Sequence, residues 1–231
     1  MKPNAGLDEH HVGPTVASAR ADIYAILFAC FTPPTSELLD AAESGALAEV
    51  LAEALAELPV QQAAFQGALR SFEALPRVLS PSGPHGTLHT LEVEYTRLFL
   101  GPGLPKVPPY ESVYADREEA DAPGPLWGRT TFAVRDEYRQ AGLVPHPGSD
   151  PPDHLAAELE FVAFLSQAEA AALADGDLQE AERARQRRAL FITDHLRRWA
   201  PAVAAKAAEE AGHPLYEAAA TLLHAVVVAE R

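Results

Sequence analysis

His154 and Glu158 stand four residues apart in a stretch of helical pattern, which sets two ligating side chains on one face, and His195 offers a third. Together they could serve a metal-assisted hydrolase. The competing reading makes both histidines hydrogen-bonded polar groups near loops or helix caps. A helical di-metal centre would ask for several inward carboxylates with paired Glu-x-x-His motifs, and the chain supplies no such set. Other catalytic signatures are missing as well: there is no phosphate loop, no glycine-rich dinucleotide turn, no nucleophile elbow and no paired-cysteine metal knuckle. Cys30, the one cysteine, lies inside "IYAILFACF", where a small buried hydrophobe is the expected role and a disulfide framework is excluded.

The elements that must carry these residues read almost throughout as helix. Val16, Ala19, Ile23, Leu27 and Cys30 form a first stripe closed by Pro33 and Pro34, and Thr35 and Ser36 offer caps for a short helix ending at Gly45. "ALAEVLAEALAEL" follows and stops at Pro59; Phe65, Leu69 and Phe72 mark another helix before Pro76. Leu88, Leu91, Tyr95, Leu98 and Phe99 stripe the next. A helix from about Trp127 carries Val134 and Tyr138 and ends at Gly142. Asp150 as N-cap with Pro151 at the first helical position launches one striped by Leu155, Leu159, Val162 and Leu165. The stretch 177–199 carries six arginines on one helix, which reads as a solvated face or as a binding patch, and a last helix starts at Pro214. No alternating strand pattern or fixed-period repeat appears, so the fold class is all-α. A tail over 1–14 precedes one domain over 15–231, whose two helical lobes are joined by a Gly/Pro-rich hinge at about 101–125.

With 231 residues and a net charge of −15, the chain can bury a sizeable core and would repel a phosphate backbone, so nucleic acid is not an expected partner. That charge either attracts cationic partners or simply keeps an alanine-rich surface soluble. No leader-like start and no run of membrane-spanning length appears, and a cytoplasmic protein is expected.

The segment "EYTRLFLGPGLPKVPPYESVY", residues 94–114, begins as a helix and ends as something no helix can be: Gly101 stops it, and Pro102, Gly103, Pro105, Pro108 and Pro109 follow. Together with "GLVPHPGSDPPDHLAAELEFVAFL" and "FITDHLRRWAP", it resembles the TorD/DmsD family of cytoplasmic chaperones that mature molybdenum-containing redox enzymes. The likeness covers about residues 15–201. The resemblance implies an all-helical, non-enzymatic protein with no cofactor of its own. Such a protein binds the twin-arginine signal peptide of a molybdopterin oxidoreductase subunit and holds it back from export until its cofactor is in place. It also implies a peptide groove that carries over here as Tyr95, Leu98, Phe99, Pro109, Tyr110, Ser112, Asp153 and His154. Several close members have tryptophan where Tyr110 stands, which bears on client preference.

A signal peptide offers a cationic n-region and then an apolar stretch, so its receptor needs an apolar trough with carboxylates at one end. Tyr95, Leu98, Phe99 and Tyr110 are expected to form the trough, and Glu111 and Asp153 to supply the charge. The prolines would stiffen one wall and so lower the entropy lost on binding. The expected state is a monomer, with a hinge that permits lobe exchange into a swapped dimer. A general helical adaptor with an unrelated partner is the remaining alternative to the chaperone and the hydrolase.

Overall fold

The computed structural model describes residues 13–59, 62–79, 83, 85–103, 105–118, 122–144 and 150–229. In chain order the helices are α1 (Pro14–Phe31), α2 (Ser36–Ser44), α3 (Ala46–Glu57), α4 (Gln66–Val78), α5 (Leu88–Tyr95), α6 (Glu111–Ala115), α7 (Arg129–Gln140), α8 (Leu155–Ala174), α9 (Leu178–Phe191), α10 (Arg197–Glu210) and α11 (Pro214–Ala229). The all-α expectation is borne out. Among the described residues there is no strand, and one isolated antiparallel bridge joins Tyr110 to His154. None of these helices is long and apolar enough to cross a membrane. Residues 1–12 of the expected tail lie outside the described residues, and Pro14 already opens α1.

Local chemistry explains most boundaries. The Thr35 hydroxyl accepts from the Leu38 amide at 3.3 Å and starts α2, and Gly45, at φ 88°, ends it in a left-handed turn that a side chain would resist. Thr87 and Asp177 cap α5 and α9 in the same way. Three boundaries differ from expectation. α4 runs through Pro76 to Val78, giving up the one amide bond that Pro76 cannot make, while the Leu79 amide still closes on the Leu75 carbonyl at 2.9 Å. α7 starts at Arg129, after Trp127 has taken a positive φ of 63°. α8 starts at Leu155, with His154 rather than Asp150 as its N-cap. The stripes through Leu98–Phe99 and through His195 continue, but as π-helical turns over Thr96–Leu100 and Ile192–Leu196. Such one-turn bulges recur at functional sites.

The two helical groups expected as lobes are not set apart. α1 lies along α8, α4 packs on α11, and Tyr24, Leu27, Phe99, Leu159, Val162 and Tyr216 all belong to one continuous core. Tyr95 and Phe99 stack with Phe31 and Tyr216, ring centroids 5.2–6.4 Å apart, which ties the C-terminal end of α1 to α11. Cys30 is fully buried and its thiol is pushed up to about 12 by that burial, so it is the inert small hydrophobe expected.

The Gly/Pro segment is a fastened strap. The Val107 amide donates to the Leu98 carbonyl at 2.9 Å, the Leu155 amide to Pro109 at 2.8 Å, and the Glu111 amide to Asp153 at 3.0 Å. Lys106 pairs with Glu210 at 2.7 Å, while Arg97 pairs with Glu94 at 2.7 Å and donates to the Glu210 carbonyl. Beyond α6 the chain turns back so tightly that a Cβ on Gly124 would overlap the Ser112 carbonyl oxygen. Gly124→Ala is therefore expected to destabilise the fold by about 1–3 kcal/mol, read as a lowered melting temperature. A variant as stable as the parent would show that this turn is not held against α6.

Candidate functional site

The strap and the start of α8 meet in a short ladder that the chain cannot form locally. It sets the Tyr110 ring edge-on against the His154 imidazole, centroids 5.1 Å apart. His154 Nδ1 accepts from the Ala156 amide at 3.2 Å, capping α8. Burial holds this imidazole below its ordinary value, so the ring is neutral at pH 7 and its proton sits on Nε2. The Tyr138 hydroxyl donates to the Pro152 carbonyl at 2.9 Å and fixes the turn that presents His154.

Behind this wall lies a buried polar network. Glu111, Asp153 and Glu158 are each at most 1% exposed. Glu111 Oε2 is 2.8 Å from His195 Nδ1, Asp153 Oδ2 accepts from the Ser112 amide at 2.9 Å, and Glu158 Oε2 accepts from Trp199 Nε1 at 3.1 Å. Burial, and then the neighbouring Glu111 and Asp153, push Glu158 well above the usual carboxylate range, against the opposing indole bond. A proton kept on Glu158 removes its charge from beside Glu111, and its Oε1 is buried without a hydrogen-bond partner among the described residues. Asp153 Oδ1, Ser112 Oγ, Tyr114 OH and Thr131 Oγ1, on the same strap and its neighbours, are buried without a hydrogen-bond partner among the described residues. That much unmatched polarity is uncommon in a native interior.

This placement corrects the sequence reading of the site. Glu111 and Asp153, expected as carboxylates facing a peptide, point inward and are already bonded. Tyr95, Leu98 and Phe99, expected in the trough, and Pro109 and Ser112, carried over to the groove, are buried, and Tyr110 alone of the nine is half-exposed. Nor do His154, Glu158 and His195 make a metal site. One atom of each is already taken, His154 Nδ1 by the Ala156 amide, Glu158 Oε2 by the Trp199 indole and His195 Nδ1 by Glu111, and among the described residues no three such groups could hold a metal ion.

An open apolar cleft of about 470 Å3 borders His154 on the other side. Phe28, Thr32 and Pro33 from the end of α1 form one wall, Tyr138, Leu143 and Val144 another, and Ala156, Ala157, Phe161 and Phe164 of α8 the floor. Val144 is 82% exposed and Phe164 38%, so apolar surface is offered to solvent here. Asp150 and Glu160, both exposed, stand at its edge. The sequence reading missed Phe164 and Glu160 because one core stripe along α8 was accepted; the signal was a second apolar face at Ala157, Phe161 and Phe164. The arginines of α9 are mostly its solvated face, with Arg183 and Arg185 paired to Glu180 and Glu182 one turn earlier, while Arg188 pairs with Glu169 in the interior.

A family model described as the nitrate reductase delta subunit matches residues 45–205, most of the strap, cleft and network just described. The chain belongs to this family. Among curated relatives, the Tat proofreading chaperone DmsD of Salmonella typhi is 31% identical over 147 residues, 63% of this chain and 62% of that one. The chaperone protein TorD of Vibrio cholerae is 31% identical over 141 residues, 59% of each. The matched regions thus span about three-fifths of the length of these relatives. The family expected from the motifs is the one found. A crystal structure from Archaeoglobus fulgidus, described as a candidate redox enzyme maturation protein, is 20% identical with a TM-score of 0.40, covering 81% of this chain and 97% of that one.

Proposed function

We propose that this chain is a cytoplasmic chaperone rather than an enzyme. It binds the twin-arginine signal peptide of a molybdopterin-containing oxidoreductase subunit and keeps that subunit from export until its cofactor is inserted. The observation that carries the reading is the exposed apolar cleft beside His154, in a chain whose relatives are named as proofreading chaperones. A leader's apolar stretch would bury against Phe28, Phe161 and Phe164, and His154 Nε2, the ring's free donor, would meet a peptide carbonyl. Tyr95, Leu98, Phe99, Pro109, Tyr110, Glu111, Ser112 and Asp153 act behind the cleft, holding the strap that presents His154.

Titration calorimetry with a synthetic twin-arginine leader tests this. Micromolar or tighter binding is expected, weakening as salt rises because charge pairing helps to hold the n-region. Deleting the apolar stretch is expected to weaken binding more than replacing both arginines by lysine. A leader that does not bind, or binds equally well without its apolar stretch, would contradict the reading.

A further inference from the structure

The cleft has a direction. His154, Ala157, Glu160, Phe161 and Phe164 follow one another along one face of α8, and from His154 to Phe164 the helix rises about 15 Å. The aromatic rings stand at the far end. At the near end and midway stand Asp150 and Glu160, and among the described residues no lysine or arginine lines the cleft. Asp150 acts on the neighbouring His154, and no ion pair with lysine or arginine is seen for Asp150 or Glu160 among the described residues. His154 is only 6% exposed, yet its ring lines the cleft with Nδ1 occupied and no partner for Nε2 among the described residues.

We infer that Asp150 and Glu160, not the buried Glu111 and Asp153, recognise the arginines of the leader, and so set the direction in which the peptide lies along α8. This rests on the function proposed above. With its cationic end at Asp150 and Glu160, the apolar stretch that follows runs toward Phe161 and Phe164, and the small side chains of Ala156 and Ala157 let its backbone come close to α8. A carboxylate in a half-apolar cleft favours arginine, whose planar guanidinium bonds it through two parallel N–H groups and is less strongly hydrated than an ammonium. Reversed, the peptide would set its apolar residues beside Asp150 and carry its arginines away from it.

The test is a charge-reversal cycle by calorimetry on the full chain, with a synthetic twin-arginine leader and the same peptide carrying glutamate at both arginine positions. The proteins are wild type, Asp150→Arg, Glu160→Arg and, as a control of equal charge change on the exposed face of α4, Glu73→Arg. Both target positions are exposed, so the fold should tolerate the changes. Asp150→Arg and Glu160→Arg are each expected to lose about tenfold or more for the arginine leader and to gain for the glutamate leader, with Glu73→Arg close to wild type. Unchanged affinity in both target variants overturns the inference, as does equal loss of both peptides. Failure of wild type to bind the arginine leader overturns the proposed function itself, a different outcome from binding that ignores the charge reversals.

Discussion

Trp199→Ala is expected to remove about 3–5 kcal/mol of stability, the largest loss anticipated for a single side chain here. The indole is 1% exposed on α10, packs against Tyr114 with centroids 5.6 Å apart, and donates the hydrogen bond that satisfies Glu158 Oε2. Its removal opens a cavity and strips a buried carboxyl of its donor, two penalties that fall on one site. For a chain of this length each kcal/mol lowers the melting temperature by about 2–4 °C, so a fall of roughly 6–20 °C should appear in thermal melts followed by circular dichroism. Trp199→Phe keeps most of the ring and loses the N–H, and should cost about 1–2 kcal/mol. Equal melting temperatures for Trp199→Ala and the parent would mean that α10 does not pack against α6 and α8 as described.

The second large effect is on pH dependence. Folded Glu158 holds its proton well above the ordinary value of 4.5, whereas the unfolded chain gives it up near that value. Between those two points the native state binds more protons than the unfolded one, so stability falls as pH rises, by up to about 1.4 kcal/mol per pH unit. The contribution is fully present below the unfolded value and is lost as pH climbs through the folded one. The groups facing Glu158 are Glu111 from α6, Asp153 from the turn, His195 across Glu111, and Tyr138 from α7. His154 and His213, both held low by burial, act in the opposite sense as pH falls, but they are common to the parent and to Glu158→Gln and cancel in the difference between the two. Denaturant unfolding of both proteins at a series of pH values upward from the ordinary carboxylate range isolates the effect. The parent should lose stability relative to the amide variant, which cannot ionise, as pH rises. Parallel curves would show that Glu158 does not hold its proton above the ordinary range.

Helices were legible because their signals are local. Thr35, Gly45 and Pro214 start or stop elements where the sequence places them, since a cap or a positive φ acts through its own neighbours. Asp150 misled because two prolines after an aspartate look like a helix start; the chain instead makes one more turn, and His154, bridged to Tyr110 and followed by the Leu155 amide bonded to Pro109, takes the cap. The π turns were invisible, since one inserted residue hardly disturbs a three-and-four apolar spacing. A stripe tells which face is buried and not what covers it, so the pairing of α1 with α8 and the single core did not follow from the pattern. The candidate site was the least legible part. Glu111, Asp153 and Glu158 are residue types that ordinarily face water, and their burial depends on His195 and Trp199, brought to them only by the tertiary fold. The motifs drew attention to the strap and the start of α8, whose named residues mostly face inward, while the surface that is open beside them carries Phe164, Val144, Asp150 and Glu160.

The central claim is that a leader's apolar stretch occupies the cleft along α8. The most direct measurement places a photoreactive group in the middle of that stretch, crosslinks the peptide to the intact protein at saturation, and maps the adducts by mass spectrometry. The account predicts adducts on Phe28, Val144, Phe161 or Phe164, competed away by unlabelled leader. Competable adducts concentrated instead on another exposed apolar surface, such as Leu126, Trp127 and Phe132, would contradict it.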